Sequence, residues 1–141
     1  MKPTRRDLAL LLPVVAAAQE KKPAPTIESK VYEYEDLPVK ENGQNKGRAV
    51  LNRVTHGGFP VELHMTELGP GQAPHAPHQH SHEEIVMLRR GNLDLTIEGK
   101  TTRMTAGSVT SVASGQMHGW RNPGPDHAEY FVIALGTEPK K

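Results

Sequence analysis

The stretch His75 to Gly91 reads HAPHQHSHEEIVMLRRG. It carries four of the eight histidines and two adjacent glutamates, and an apolar run follows. Neutral imidazole and ionised carboxylate are ligands that divalent iron, manganese, nickel, copper and zinc accept. Residues two apart on a strand point to one face, so His78 and His80 aim side by side. Glu84 lies four residues further on, roughly 13 Å along an extended chain at about 3.3 Å per residue. One ion cannot span that gap, so the chain must curl through Ser81-His82-Glu83 if Glu84 is to join the pair. His82 shares the parity of the two histidines, but the curl breaks it; His82 is read as a neighbour of the ligands or as surface. The expectation is a metal ion held by His78, His80 and Glu84. A solvated histidine-rich loop would not need the ordered spacing His78-x-His80-x3-Glu84-x6-Gly91 that follows Pro70-Gly71.

Outward from this stretch the chain reads as short strands. Ile85 to Leu88 forms a strand core, and Arg89 and Arg90 lead into a solvated turn at Gly91-Asn92. Leu93, Leu95 and Ile97 alternate with Asp94, Thr96 and Glu98, the pattern of a half-buried strand. Glu98-Gly99-Lys100 turns, Thr101 to Met104 returns, and Ser108 to Val112, Met117 to Arg121 and Ala128 to Leu135 follow. Upstream, Val31 to Leu37 is expected as a first strand with Tyr32 and Tyr34 on one face. Lys40 to Gly47 is expected as a loop, and Ala49 to His56 and Val61 to Leu68 as strands. His56 and His64 read as surface or strand histidines. Roughly eight short strands, with turns about every 6 to 12 residues and no amphipathic helix, predict an all-β antiparallel sandwich or barrel.

Bulk properties agree with one small domain: 141 residues, with 13 glycines and 12 prolines. The formal net charge of +1 offers no basic field for nucleic acid. The absence of cysteine excludes disulfides, thiolate metal sites and cysteine nucleophiles. Aromatic residues are 4%, so the core must rest on Val, Leu, Ile and Met. Residues 1–18 read as an export signal. Lys2, Arg5 and Arg6 precede the apolar run Leu8 to Ala18, which falls short of the about 20 residues a bilayer span needs. Ala16-Ala17-Ala18 suits cleavage before Gln19. Thr4-Arg5-Arg6-Asp7-Leu8 resembles a twin-arginine signal, departing from it at Thr4 and Leu8. The expectation is export, to the bacterial periplasm, with no stable membrane span. Residues 19–30 read as a flexible linker and 31–137 as the folded domain.

A second stretch, Gly107 to Asn122, reads GSVTSVASGQMHGWRN. His118 follows a glycine turn and starts a strand, and Trp120, two residues on, shares its face if the strand is regular. The two stretches together resemble the two motifs of the cupin superfamily. The first motif, G-x5-H-x-H-x3,4-E-x6-G, is matched from His78 to Gly91, with the leading glycine offset to Gly71. The second, G-x5-P-x-G-x2-H-x3-N, is matched as Gly107-x5-Ala113-x-Gly115-x2-His118-x3-Asn122. Ala113 stands where the family has proline, which loosens a turn and leaves the ligand position filled. The resemblance covers Val61 to Leu135.

The resemblance implies a small jelly-roll β-barrel with one divalent metal ion, Mn, Fe, Zn or Ni, held by His78, His80, Glu84 and His118. Three neutral nitrogens and one carboxylate would leave two octahedral positions open, as a catalytic site requires. The family includes dioxygenases, isomerases, decarboxylases, lyases and plain ligand binders, so fold does not fix function. The reading is an exported metal-dependent enzyme, of oxygenase or isomerase type, acting on a small organic molecule; the alternative is a non-catalytic module that binds a small ligand or sugar. The family also implies a homodimer. Trp120 is placed beside the metal or in the core. Tyr130 offers its hydroxyl to the pocket if its face turns inward. His75 and Glu83 belong to the rim.

Overall fold

Residues Glu84, Val86 and Leu88 alternate with Ile85, Met87 and Arg89, so one strand turns a buried face inward and a more open face outward. The same logic repeats along the computed structural model, which describes residues 25–136. The export signal expected over 1–18, the first part of the linker and the last residue of the expected domain lie outside the described residues. Nine strands appear among those described: β1 (Val39–Asn42), β2 (Asn45–Val54), β3 (Pro60–Leu68), β4 (Glu83–Arg90), β5 (Asn92–Ile97), β6 (Lys100–Thr105), β7 (Val109–Val112), β8 (His118–Arg121) and β9 (Ala128–Leu135). They pair antiparallel in two sheets, ordered β1-β2-β3-β9-β4-β7 and β6-β5-β8. The expected all-β jelly-roll barrel is the observed fold.

The sheets close over Leu68, Val86, Leu88, Leu93, Leu95, Met104, Trp120, Ala128, Tyr130 and Val132. Each fully buried aliphatic side chain of this kind contributes about 1.5–3 kcal/mol. Asn122 is fully buried beside this core. The Asn122 amide nitrogen donates to the carbonyls of Leu68 (3.0 Å), Gly69 (3.1 Å) and Asp126 (2.7 Å), and its oxygen accepts from the Gly124 N–H (2.9 Å). Asn122 thus ties the end of β8 to the end of β3. Gly91, between β4 and β5, has φ 81°, and a Cβ there would lie 2.9 Å from both the Ala128 Cα and the His127 oxygen. Only glycine fits that turn against β9.

Two expectations upstream are corrected. Val31 to Leu37 is not a strand: Tyr34–Asp36 form a short 3-10 turn, with Asp36 N–H donating to the Glu33 carbonyl and Leu37 N–H to that of Tyr34. The segment is held by side chains instead of a ladder. The Tyr34 hydroxyl donates to Glu67 (2.8 Å), the Arg48 guanidinium covers the Tyr34 ring (4.0 Å), and Leu37 is buried. Lys40 to Gly47 is not a loop but a hairpin of β1 and β2. Gly43 at φ 60° opens its two-residue turn, and the polar flanks pair through backbone at a sheet edge, where side-chain hydrophobicity gives no sign of them. Within the expected linker, Ile27 N–H donates to the Val54 carbonyl and Val54 N–H to that of Pro25, so residues 25–27 lie against the end of β2. Arg89 and Arg90 sit at the end of β4 beside a bulge, and both pair with Glu129 of β9 (2.9 and 2.5 Å). Both side chains remain more than half exposed, so the pairs add little to stability.

Candidate metal centre

The first stretch is stitched to the second by backbone. His78 and His118 form an isolated antiparallel bridge, with N–H to O distances of 2.9 and 2.8 Å. Gly115 N–H donates to the His80 carbonyl (2.8 Å), and the Ser114 hydroxyl to that of Ser81 (2.8 Å). The chain bends at Ser81-His82 before β4 begins. This is the curl that the spacing of His80 and Glu84 demands. It brings Glu84 Oε1 to 3.2 Å from His80 Nε2, while Glu84 Oε2 lies 3.5 Å from His118 Nε2. His78, His80 and His118 offer nitrogens that all lie within 4.8 Å of one another. All four residues that the sequence singles out are therefore brought together, His78 and His80 half-buried and Glu84 and His118 buried.

Two of the rings are oriented from behind. His80 Nδ1–H donates to the His82 carbonyl (2.8 Å), and His118 Nδ1–H donates to that of Gln116 (2.9 Å). A carbonyl can only accept, so each ring carries its proton on Nδ1 and turns a bare Nε2 to the centre. Histidines that ligate metals are held in this way. Burial, then the neighbouring rings of His75, His118 and His80, hold His78 below its ordinary histidine value, while Glu84 acts weakly the other way. Low basicity favours the neutral imidazole that a metal requires.

A divalent ion fits this donor set on two observations. The buried histidine and glutamate atoms with no hydrogen-bond partner are His78 Nδ1, His80 Nε2, His82 Nδ1, Glu84 Oε2 and His118 Nε2, all in this one cluster. Leaving a buried polar atom unpaired costs about 1–3 kcal/mol, so five together demand a compensating partner. Two donors about 2.1 Å from one ion and at right angles to each other lie about 3 Å apart. The 3.2 and 3.5 Å separations are of that size.

Around the centre, Trp120 stacks near His118 (centroids 5.6 Å, planes 30° apart) and donates its Nε1–H to the Tyr130 hydroxyl (2.6 Å). Both are core residues as well as neighbours of the centre. Burial raises Tyr130 far above its ordinary value, against the pull of its hydrogen bonds with Trp120 and Thr66, so it stays a neutral phenol. His75 is exposed and meets the edge of His78 at 4.2 Å, a rim position. Glu83 is exposed. His56 lies exposed in a turn; His64 is half-buried on β3, 3.4 Å from Glu62.

His82 takes the first of its two expected places, as a neighbour of the ligands. Its ring lies parallel to His80 at 3.6 Å, and its Nε2 is 3.5 Å from Glu84 Oε1. The shared parity of residues 78, 80 and 82 was the one available signal, and the bend that brings in Glu84 does not carry His82 away.

A family model of the cupin domain matches residues 64–134, half of the chain. The chain belongs to the cupin family. No curated protein matches it in sequence. Among solved structures it is similar to an RmlC-like cupin from Shewanella frigidimarina, at 15% identity and a TM-score of 0.65, over 79% of this chain and 94% of that one. It is also similar to a polyketide cyclase from Streptomyces resistomycificus, at 17% and 0.63, over 80% and 83%. A sugar phosphate isomerase from Silicibacter pomeroyi matches at 16% and 0.63, over 77% and 76%. At these identities the likeness is one of fold. Among the described residues of this cupin, no helix is long and apolar enough to cross a membrane.

Proposed function

We propose that this cupin is a metal-dependent enzyme, of oxygenase or isomerase type, acting on a small organic molecule, with His78, His80, Glu84 and His118 as the ligands of one divalent ion. The observation that carries this is the convergence of unpartnered donor atoms whose rings are fixed from behind. A bound manganese, iron, zinc or nickel ion would act as a Lewis acid toward an oxygen of the substrate.

The chain's own residues do the rest. Glu84 supplies the negative charge that offsets the ion. The His82 and Gln116 carbonyls fix the ring planes of His80 and His118. Trp120 and Tyr130 hydrogen-bond to each other, and Tyr130 also to Thr66, so the core behind His118 offers no free polar group from either ring. His78 is only half-buried, so a small molecule can reach the centre from its side, unlike the ligands of a closed structural site. The solved relatives described as a cyclase and an isomerase support an enzyme. We further propose that residues 1–18 direct export to the periplasm; the basic start and short apolar run support this, and N-terminal sequencing of the protein from its native host should begin at Gln19.

The enzymatic reading is tested by elemental analysis of the purified protein together with oxygen uptake and product analysis on a panel of small hydroxy acids, ketones and sugars. About one metal per chain and turnover of one class, lost in Glu84→Gln, is expected. A full complement of metal without turnover of any substrate would favour a ligand-binding module.

A further inference from the structure

The centre contains a second set of donors beside the four above. His80, His82 and Glu84 also offer ligand atoms within 4.8 Å of one another, and this triad shares two members with the expected ligand set. Glu84 faces both ways. Its Oε1 is turned to His80 (3.2 Å) and His82 (3.5 Å), and its Oε2 to His118 (3.5 Å). His82 therefore stands as near to the carboxylate as His118 does.

Two features separate their roles. The first is depth: the side chain of His82 is 15% exposed, those of Glu84 and His80 are 10% and 9%, and that of His118 is 0%. The second is ring direction. His80 and His82 are parallel to within 6° at 3.6 Å. Lone pairs in parallel rings run side by side and do not converge, so the two imidazoles cannot both hold one ion in this arrangement. A donor that is close, less deeply buried than Glu84, His80 and His118, and unable to share the ion with its neighbour suits transfer better than residence.

We propose that His82 is an entry ligand. With Glu84 Oε1 it takes a divalent ion at the mouth of the centre and hands it to His80, Glu84 Oε2, His118 and His78. This rests on the ligand assignment made above and adds the route by which the ion arrives. A group that acts only in transit speeds entry and exit alike and leaves the equilibrium unchanged.

The test uses cobalt(II) as the probe and Trp120 as the reporter. Trp120 is the single tryptophan, and its ring lies 5.6 Å from that of His118, so a paramagnetic ion there quenches its fluorescence. Uptake is followed by stopped flow, and release by mixing the loaded protein with excess chelator. His82→Phe keeps the ring stacked on His80 and removes the donor; His82→Gln keeps polarity and loses the ring. Both are first checked for a wild-type circular dichroism spectrum.

The expected result is that uptake and release slow by the same factor in both variants, about tenfold, which corresponds to about 1.4 kcal/mol on the barrier to entry. The dissociation constant and the one-ion stoichiometry stay as in wild type. Unchanged rates overturn the entry role. So does weaker affinity with unchanged uptake, which would make His82 a resident ligand or a prop for Glu84. A wild-type protein that takes up no cobalt would instead sink the metal-centre reading itself. An ion bound with rates indifferent to His82 would leave that reading standing and remove only this inference.

Discussion

Asn122 and His118 are four residues apart, both fully buried, and the fold treats them in opposite ways. The donors and acceptor of Asn122 are matched to four backbone groups. His118 has its Nδ1–H matched to a carbonyl and its Nε2 matched to nothing, and four other unpaired atoms belong to the residues gathered around it. A satisfied polar group is a structural joint. A cluster of unsatisfied ones is stability given up for binding, as is expected where a fold carries function. The two residues belong to one motif, and a motif match alone does not tell them apart.

The sharpest way to break the contrast is to remove one member of each kind. His118→Ala should weaken metal binding by more than about 100-fold, beyond the 10–100-fold typical of partners behind a ligand. The metal-free protein should melt within a few degrees of wild type. Metal titration and thermal melts read the two effects separately. Asn122→Ala should do the reverse. It takes the side-chain partner from the Leu68 and Asp126 carbonyls and the Gly124 N–H, while the Gly69 carbonyl keeps the Gln72 N–H; at about 1–3 kcal/mol for each group that no water reaches, a loss of about 2–4 kcal/mol is expected. Metal stoichiometry in the folded fraction should not change. Equal metal loss in both variants would mean that the histidine cluster is only another structural joint.

Gly91→Ala sharpens the structural side. The added Cβ meets the β9 backbone at 2.9 Å in a left-handed conformation, so denaturant unfolding should show a loss of about 1–3 kcal/mol with metal affinity intact. The smallest effect concerns pH. The His78 imidazole is held below its ordinary value mainly by burial, so the unfolded chain binds its proton first as pH falls. Its contribution to the metal-free protein is complete above pH 6.5, the ordinary histidine value, and declines as pH drops below it toward the folded value. A shallow fall in melting temperature through that window, reduced in His78→Gln, is the expected outcome of a pH series.

Much of this was legible in the sequence, for local reasons. Alternation over Leu93 to Glu98 marked a strand and its faces, because β5 has a buried side and a more open one; alternation over Val61 to Leu68 marked a strand, but in β3 most residues of both parities are half-buried. The spacing from His78 to Gly91 required a bend before Glu84, and the bend is there. The first hairpin was missed because its polar strands pair through backbone at a sheet edge. The turn at Tyr34 was missed because it is fixed by Glu67 and Arg48, both remote in sequence. The position of His82 was left open between a neighbour of the ligands and surface, because its place beside Glu84 depends on the bend itself, and residue parity no longer holds across a bend.

X-ray absorption spectroscopy of the zinc-loaded protein tests the central claim most directly, because it counts imidazoles around the ion. The account predicts one ion per chain with three imidazole nitrogens and carboxylate oxygen in its shell, falling to two imidazoles in His118→Ala. An oxygen-only shell, or three imidazoles retained in His118→Ala, would contradict it.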